Sequence, residues 1–271
     1  MSRIWLGVLW LCSISASATT EHLYCHHCSV GQFAAAPDSS DYKRYARSRE
    51  IDVEHLKLDV TPDFATHTVS GTATLRFKPI GLPLQLVKLD GINLNVTSVT
   101  SSAPLASHHN TGSKIVLQFR EALQVGQSVT VTIKYSAEPQ KGLYFRTPKN
   151  GYPKNSQQIW TQGEPHEVRH WFPVYDYPNE RFTSEIICHV PKGMKVLSNG
   201  KLVGESDGAH HWKQNQPHVA YLITLVAGNL KKVEDKYGDL SLTFWTPPED
   251  IHLAQNSFRY TKNMMEYFEQ E

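Results

Sequence analysis

From about Ser48 onward the chain alternates apolar and polar positions in short runs separated by turn residues. Residues 69–77 keep a period of two, with valine, alanine, leucine and phenylalanine on one side and serine, threonine and arginine on the other. Residues 51–60 alternate in part until Thr61-Pro62-Asp63 breaks the pattern, and residues 84–99, 114–119 and 129–135 repeat the theme. The second half adds runs at 182–190, 194–202, 209–213, 219–227 and 240–245. β-branched and aromatic residues dominate them, as strands prefer. Short strands at roughly ten-residue spacing with Gly and Pro punctuation predict a mainly β fold, an antiparallel β sandwich or saddle. Thr246-Pro247-Pro248 closes the β region, and Glu249-Asp250 opens a helical segment over 251–268. Its apolar positions, Leu253, Phe258, Met264, Met265 and Phe268, are only loosely periodic.

The 271 residues carry 27 Lys and Arg against 26 Asp and Glu. A net charge of +1 gives no bulk electrostatic reason to expect nucleic acid or an anionic membrane as partner. The length suits one large or two small domains. Residues 1–18 read as a signal peptide: Arg3, an apolar run over 4–14 too short to span a bilayer, then Ala16-Ser17-Ala18 as a small-residue cleavage site. The mature chain is therefore expected to be secreted or periplasmic, without a stable membrane anchor. Residues 19–47 form a polar leader with no sustained period.

Three cysteines remain after signal removal, and an odd number excludes full internal pairing. Cys25-His26-His27-Cys28 has the spacing of a redox pair, half a zinc site or a local disulfide, and no second CxxC follows to complete a metal site. Cys188 lies in an apolar run and reads as a buried free thiol. Asn95-Val96-Thr97 matches a glycosylation sequon within a strand pattern. His108-His109 and His210-His211 read as solvated turn residues, since a histidine pair without a third ligand is weak evidence for metal.

The chemistry concentrates in residues 157–182. His166-Glu167-Val168-Arg169-His170 matches HExxH. On a helix His166 and His170 would share a face and hold zinc, with Glu167 as general base for a bound water. A third ligand would have to come from Glu180, Glu185 or His189, and Pro173 limits such a helix to about two turns. In a chain with 14 histidines a chance match carries real weight.

A second reading comes from Thr161-Gln162-Gly163-Glu164-Pro165, then Arg169, then Pro173-Val174-Tyr175-Asp176-Tyr177-Pro178. This order and spacing resembles a signature of the aminopeptidase N family, gluzincin zinc aminopeptidases that include the leukotriene hydrolase enzymes. Val196-Leu197-Ser198-Asn199-Gly200 is similar to a family hairpin, and residues 220–228 look like the strand that closes the family's N-terminal β domain. The resemblance covers about residues 49–271. It implies an N-terminal β domain over 48–247, and over 248–271 the start of a helical linker to a thermolysin-like catalytic domain. That domain would carry the zinc motif and Gly-x-Met-Glu-Asn, neither of which occurs after residue 228. The chain is thus expected to stop before the catalytic half, to hold no catalytic residue or zinc of its own, and to be inactive alone.

The resemblance implies that Glu164 binds the free α-amine of a peptide and that Gln162 lines the pocket for the first side chain. Two residues apart in an extended chain, they project to the same side. A carboxylate suits an ammonium through charge-assisted hydrogen bonds. Arg169, Asp176 and Pro178 are expected to support the site, the first two by pairing across the turn. Trp160, Trp171, Phe172, Tyr175 and Tyr177 are expected in the core. Two alternatives stay open: a small metalloprotease using His166, Glu167 and His170, and a non-enzymatic scaffold or interaction module on the same β fold.

Overall fold

A computed structural model describes residues 47–270. The signal peptide and the leader with Cys25 and Cys28 lie outside the described residues. Sixteen strands follow in chain order: β1 Ile51–Asp63, β2 Thr68–Pro79, β3 Leu84–Asp90, β4 Asn95–Ser101, β5 Leu105–Asn110, β6 Lys114–Leu123, β7 Val129–Ala137 and β8 Leu143–Arg146. Then come β9 Gln158–Thr161, β10 Phe182–His189, β11 Lys195–Ser198, β12 Lys201–Ser206, β13 Ala209–His218, β14 Leu225–Gly228, β15 Lys231–Tyr237 and β16 Leu240–Thr246. Two helices, α1 Ala254–Ser257 and α2 Thr261–Gln270, end the described chain. The mainly β expectation holds.

The strands form a seven-stranded sheet ordered β12-β13-β10-β1-β2-β7-β4, a four-stranded sheet β11-β14-β9-β8, a three-stranded sheet β3-β6-β5 and the hairpin β15-β16. Pairing is antiparallel except between β1 and β10, which run parallel. Those two strands are separated by more than a hundred residues, so no tight turn dictates their relative direction. The three larger sheets share one apolar cluster, and nothing after Ala227 enters it. β1, β2 and β7 alternate buried and outward positions almost without fault. Their inner faces supply Leu56, Leu58, Leu75, Ile133 and Tyr135, while Thr72, Thr74, Thr130 and Thr132 line the outer face. Each aliphatic side chain removed from water in this way stabilises the fold by about 1.5–3 kcal/mol.

Several expectations need correction. The run 84–99 is two strands, because the chain turns at Gly91-Ile92-Asn93, where Asn93 has φ 54°. The run 194–202 divides at the Asn199-Gly200 turn, and residues 219–227 open with a 3-10 turn, Ala220–Leu222, before β14. His108 and His109 are exposed within β5, not in a turn. His210 is buried, because it points inward from β13 opposite His211. Trp160 is 41% exposed and not core: it projects from the outer side of β9 and stacks on Tyr144 with ring centroids 4.6 Å apart. The terminal segment is a 3-10 turn, α1, a break and α2 rather than one helix. The break is fixed by Phe258, which stacks on Phe244 of β16 at 4.4 Å.

Cys188 is a buried free thiol, and burial pushes its pKa up to about 12. His55, His67, His170 and His218 all titrate below the ordinary histidine value, with burial as the leading cause. Each binds a proton more readily in the unfolded chain, so stability rises with pH across the histidine range and falls on acidification. The melting temperature should therefore drop as pH is lowered from about 6.5 to 5.5, before carboxylates titrate. Thermal melts across that interval test it. A flat profile, or one that rises on acidification, contradicts the assignment of these four rings as neutral.

Candidate amine-recognition site

Strand β9 ends at Thr161, but the ladder continues one step further, with the Gln162 amide donating to the Gly142 carbonyl at 3.0 Å. Thr161 Oγ1 accepts from the Leu225 amide at 2.9 Å and ties this end of β9 to β14. The alternation of the strand persists into the turn: Gln162 and Glu164 are exposed, and Gly163 between them is buried. Both polar side chains thus face water from one segment, the arrangement an extended Gln-x-Glu demands.

Glycine at 163 is a steric requirement. A Cβ there would stand 2.5 Å from the Tyr221 carbonyl oxygen and 2.7 Å from Val168 Cγ1. Gly142 meets the other side of the loop. It sits at φ +77°, and a Cβ would lie 2.0 Å from the Glu167 carbonyl oxygen. Residues 163–172 fold back through short-range bonds: the Glu167 amide donates to the Gly163 carbonyl at 2.8 Å, and the Trp171 amide to the Val168 carbonyl at 3.0 Å. Trp171 and Phe172 then enter the core edge to face, with centroids 4.4 Å apart. Tyr175 is buried and Tyr177 packs against the cluster.

The loop is braced by charge. Arg169 Nε donates to Asp176 Oδ2 at 2.8 Å, and its Nη2 to the Asp176 carbonyl at 2.7 Å. Asp176 is buried and its backbone amide donates to Asp90 Oδ2 at 3.0 Å. Asp90, at the end of β3, is fully buried and also receives Arg47 Nη1 at 2.6 Å and the Lys114 ammonium, with Arg169 Nη1 at 3.7 Å. Burial alone would raise the Asp90 pKa. The Lys114, Arg169 and Arg47 cations outweigh it and hold the carboxyl below its usual range. For Asp176 burial prevails over the single arginine, and its pKa is raised. Pro178 is exposed at the turn beyond.

Asp90, Lys114 and Arg47 were not singled out from the sequence. Asp90 lies inside the run 84–99 that the sequence pattern reads as continuous, and the Asp-Gly pair at 90–91 is the signal that could have marked the turn there.

The HExxH reading fails on backbone geometry. Residues 164–167 form a turn and Val168–His170 a single 3-10 turn, so no α-helix stacks His166 over His170. The His166 ring lies flat against Tyr177, centroids 5.5 Å apart and planes 7° apart. His170 Nε2 stands 3.4 Å from Glu167 Oε2, and Lys141 Nζ 3.5 Å from Glu167 Oε1. Among the described residues no three His, Cys, Asp or Glu side chains are grouped to hold a metal ion. This arrangement does not fit a catalytic zinc.

The peptidase M1 N-terminal domain model matches residues 52–222, most of the described β structure. The chain belongs to the M1 peptidase family. Leukotriene A-4 hydrolase from Xenopus laevis is 25% identical over 244 residues, covering 85% of this chain and 40% of that protein. Human glutamyl aminopeptidase is 24% identical over 264 residues, covering 88% of this chain and 27% of that protein. The fold superposes on yeast LTA4 hydrolase in complex with bestatin with a TM-score of 0.65 at 21% identity, covering 89% of this chain and 38% of that one. It also superposes on a two-domain M1 zinc metallopeptidase bound to L-tryptophan, TM-score 0.60, covering 73% of this chain and 48% of that one. The chain thus spans less than half the length of these relatives. Gln162, Glu164, Arg169 and Asp176 all fall inside the matched M1 segment.

Removing the Asp90 carboxylate leaves three cations facing one another. Because Arg47, Lys114 and Arg169 keep 27%, 35% and 20% side-chain exposure, the loss falls at the low end for a broken buried pair. Asp90→Asn should destabilise the protein by about 3 kcal/mol in urea unfolding. A change under about 0.5 kcal/mol, the level of an ordinary surface substitution, contradicts the bracing role.

Proposed function

We propose that this chain is the amine-recognising β domain of an exported zinc metalloaminopeptidase that releases N-terminal amino acids from peptides. The observation that carries the reading is the pair Gln162 and Glu164, both exposed just beyond the end of β9, around a glycine that no other residue can replace without a clash. Membership of the M1 family supports the reaction class, and the apolar run at 4–14 supports export. In the complete protein a separate domain supplies zinc and the water it activates. Glu164 accepts charge-assisted hydrogen bonds from the substrate α-ammonium, and so registers the peptide terminus. Gln162 offers an amide, both donor and acceptor, toward the first side chain. The braced loop fixes both groups before substrate arrives, so little ordering is left to occur on binding.

A hydrogen bond to a charged group contributes about 1.5–3 kcal/mol, which corresponds to roughly a ten- to hundredfold effect on kcat/KM. In the full-length protein Glu164→Ala should lower kcat/KM for amino-acyl anilides by that factor. Unchanged kinetics would remove Glu164 from amine binding. The 271-residue chain alone, supplied with zinc, should release no anilide. Turnover by this chain that Glu167→Gln abolishes would return the reaction to the local His-Glu motif.

A further inference from the structure

The backbone ladder between β11 and β14 runs from Lys195 opposite Gly228 to Ser198 opposite Leu225. Beyond that pair, side chains continue it. Ser198 Oγ donates to the Thr224 carbonyl at 2.7 Å. Asn199 Oδ1 accepts from the Thr224 amide at 2.7 Å, and Asn199 Nδ2 donates to the Leu222 carbonyl at 2.9 Å. One carboxamide thus supplies the donor and the acceptor that a further rung of the ladder would supply. An aspartate has no donor for Leu222 and would set a negative charge against its carbonyl oxygen. The place of Asn199 is itself fixed by β13. Trp212 Nε1 donates to the Val196 carbonyl at 3.1 Å. Gly200 sits at φ +83°, and a Cβ there would lie 2.0 Å from the Lys213 carbonyl oxygen.

The chain that Asn199 holds reaches the candidate site. Ala220–Leu222 form the 3-10 turn before β14, with Ala220 and Ile223 buried and the Ile223 amide donating to the Ala220 carbonyl at 3.0 Å. In the middle of this turn the Tyr221 carbonyl oxygen stands against Gly163, 2.5 Å from where a Cβ would be. Gly163 is the residue between Gln162 and Glu164. The Leu225 amide, bonded to Thr161 Oγ1, joins the far end of the turn to the end of β9. Residues 220–224 are therefore the surface on which the Gln-Gly-Glu segment lies.

We infer that Asn199, assisted by Ser198, is a positioning residue of the amine-recognition site. Its carboxamide sets where the Tyr221 carbonyl stands, and through Gly163 the direction in which Glu164 leaves the backbone. The inference rests on the proposed function above. The coupling is steric. A turn that moves inward collides with Gly163, which Val168 closes on as well, and a turn that moves outward gives the segment room to tilt. Asn199 acts through this turn and not by contact with substrate.

The test uses the full-length protein and two competitive inhibitors, leucinol and the same alcohol without its amine. The ratio of their inhibition constants isolates the part of binding that the amine supplies, and a loss of folded protein or of turnover alone does not move it. Asn199→Asp, which keeps size and shape, and Ser198→Ala should each lower the preference for the amine by about three- to tenfold. The charge that Asn199→Asp adds would by itself strengthen binding of an ammonium, so a fall has the geometry as its cause. In the Glu164→Ala background Asn199→Asp should lower the ratio no further, because one group acts through the other. A ratio that Asn199→Asp and Ser198→Ala leave unchanged, while Glu164→Ala lowers it, overturns the inference and leaves the role of Glu164 standing. Additive losses in the double variant overturn it too. A ratio unchanged by Glu164→Ala overturns the amine-binding reading and this inference with it.

Discussion

The fold around the candidate site depends on one fully buried carboxylate. Asp90 closes β3, and its two oxygens receive Arg47 from the start of the described chain, Lys114 from β6 and the Asp176 amide from the central loop. Its backbone amide and carbonyl also exchange hydrogen bonds with Val174, at 2.6 and 3.0 Å. A buried charge is tolerated only when its partners are near and well aimed, since the cost of desolvation is several kcal/mol. Here three cations share that role. The arrangement therefore specifies geometry more than it adds stability, because any shift of the central loop would leave the carboxylate short of a partner.

That geometry suits the recognition role proposed for Gln162 and Glu164. Gln162 and Glu164 lie on the surface, where side chains ordinarily wander, yet the backbone that carries them is fixed on both sides. Toward β9 it is held by the bond from the Gln162 amide to the Gly142 carbonyl and by Thr161. Toward the core it is held by Arg169, Asp176 and the buried Trp171 and Phe172. The close approaches at Gly142 and Gly163 leave the segment no slack. A second buried pair, Glu180 with Arg49 at 2.8 and 2.9 Å, fixes the chain where it leaves the loop for β10. Rigid support thus surrounds two freely exposed polar groups.

Much of this was legible in sequence because it rests on local pattern. Alternation identified β1, β2, β7 and β10, and the spacing of Gln162, Glu164, Arg169 and Asp176 pointed to one loop. What stayed hidden depends on long-range pairing. Asp90 resembles any Asp-Gly turn until β6 and the central loop close around it. Trp160 resembles a core residue because local sequence does not tell which face of a strand points inward when both faces are apolar. β8 and β9 are four residues each, too short for periodicity to declare them.

The His166 to His170 segment shows the same limit from the other side. Its letters satisfy a metal motif, but the motif has chemical meaning only on an α-helix, where residues four apart share a face. Gly142 and Gly163 hold this stretch in a turn, Pro173 follows at once, and Tyr177 takes up the face of His166. The backbone that would make these residues ligands is the backbone that would carry Glu164 away from its braced position. The chain resolves that competition in favour of the loop, which leaves Gln162 and Glu164 exposed just beyond the end of β9.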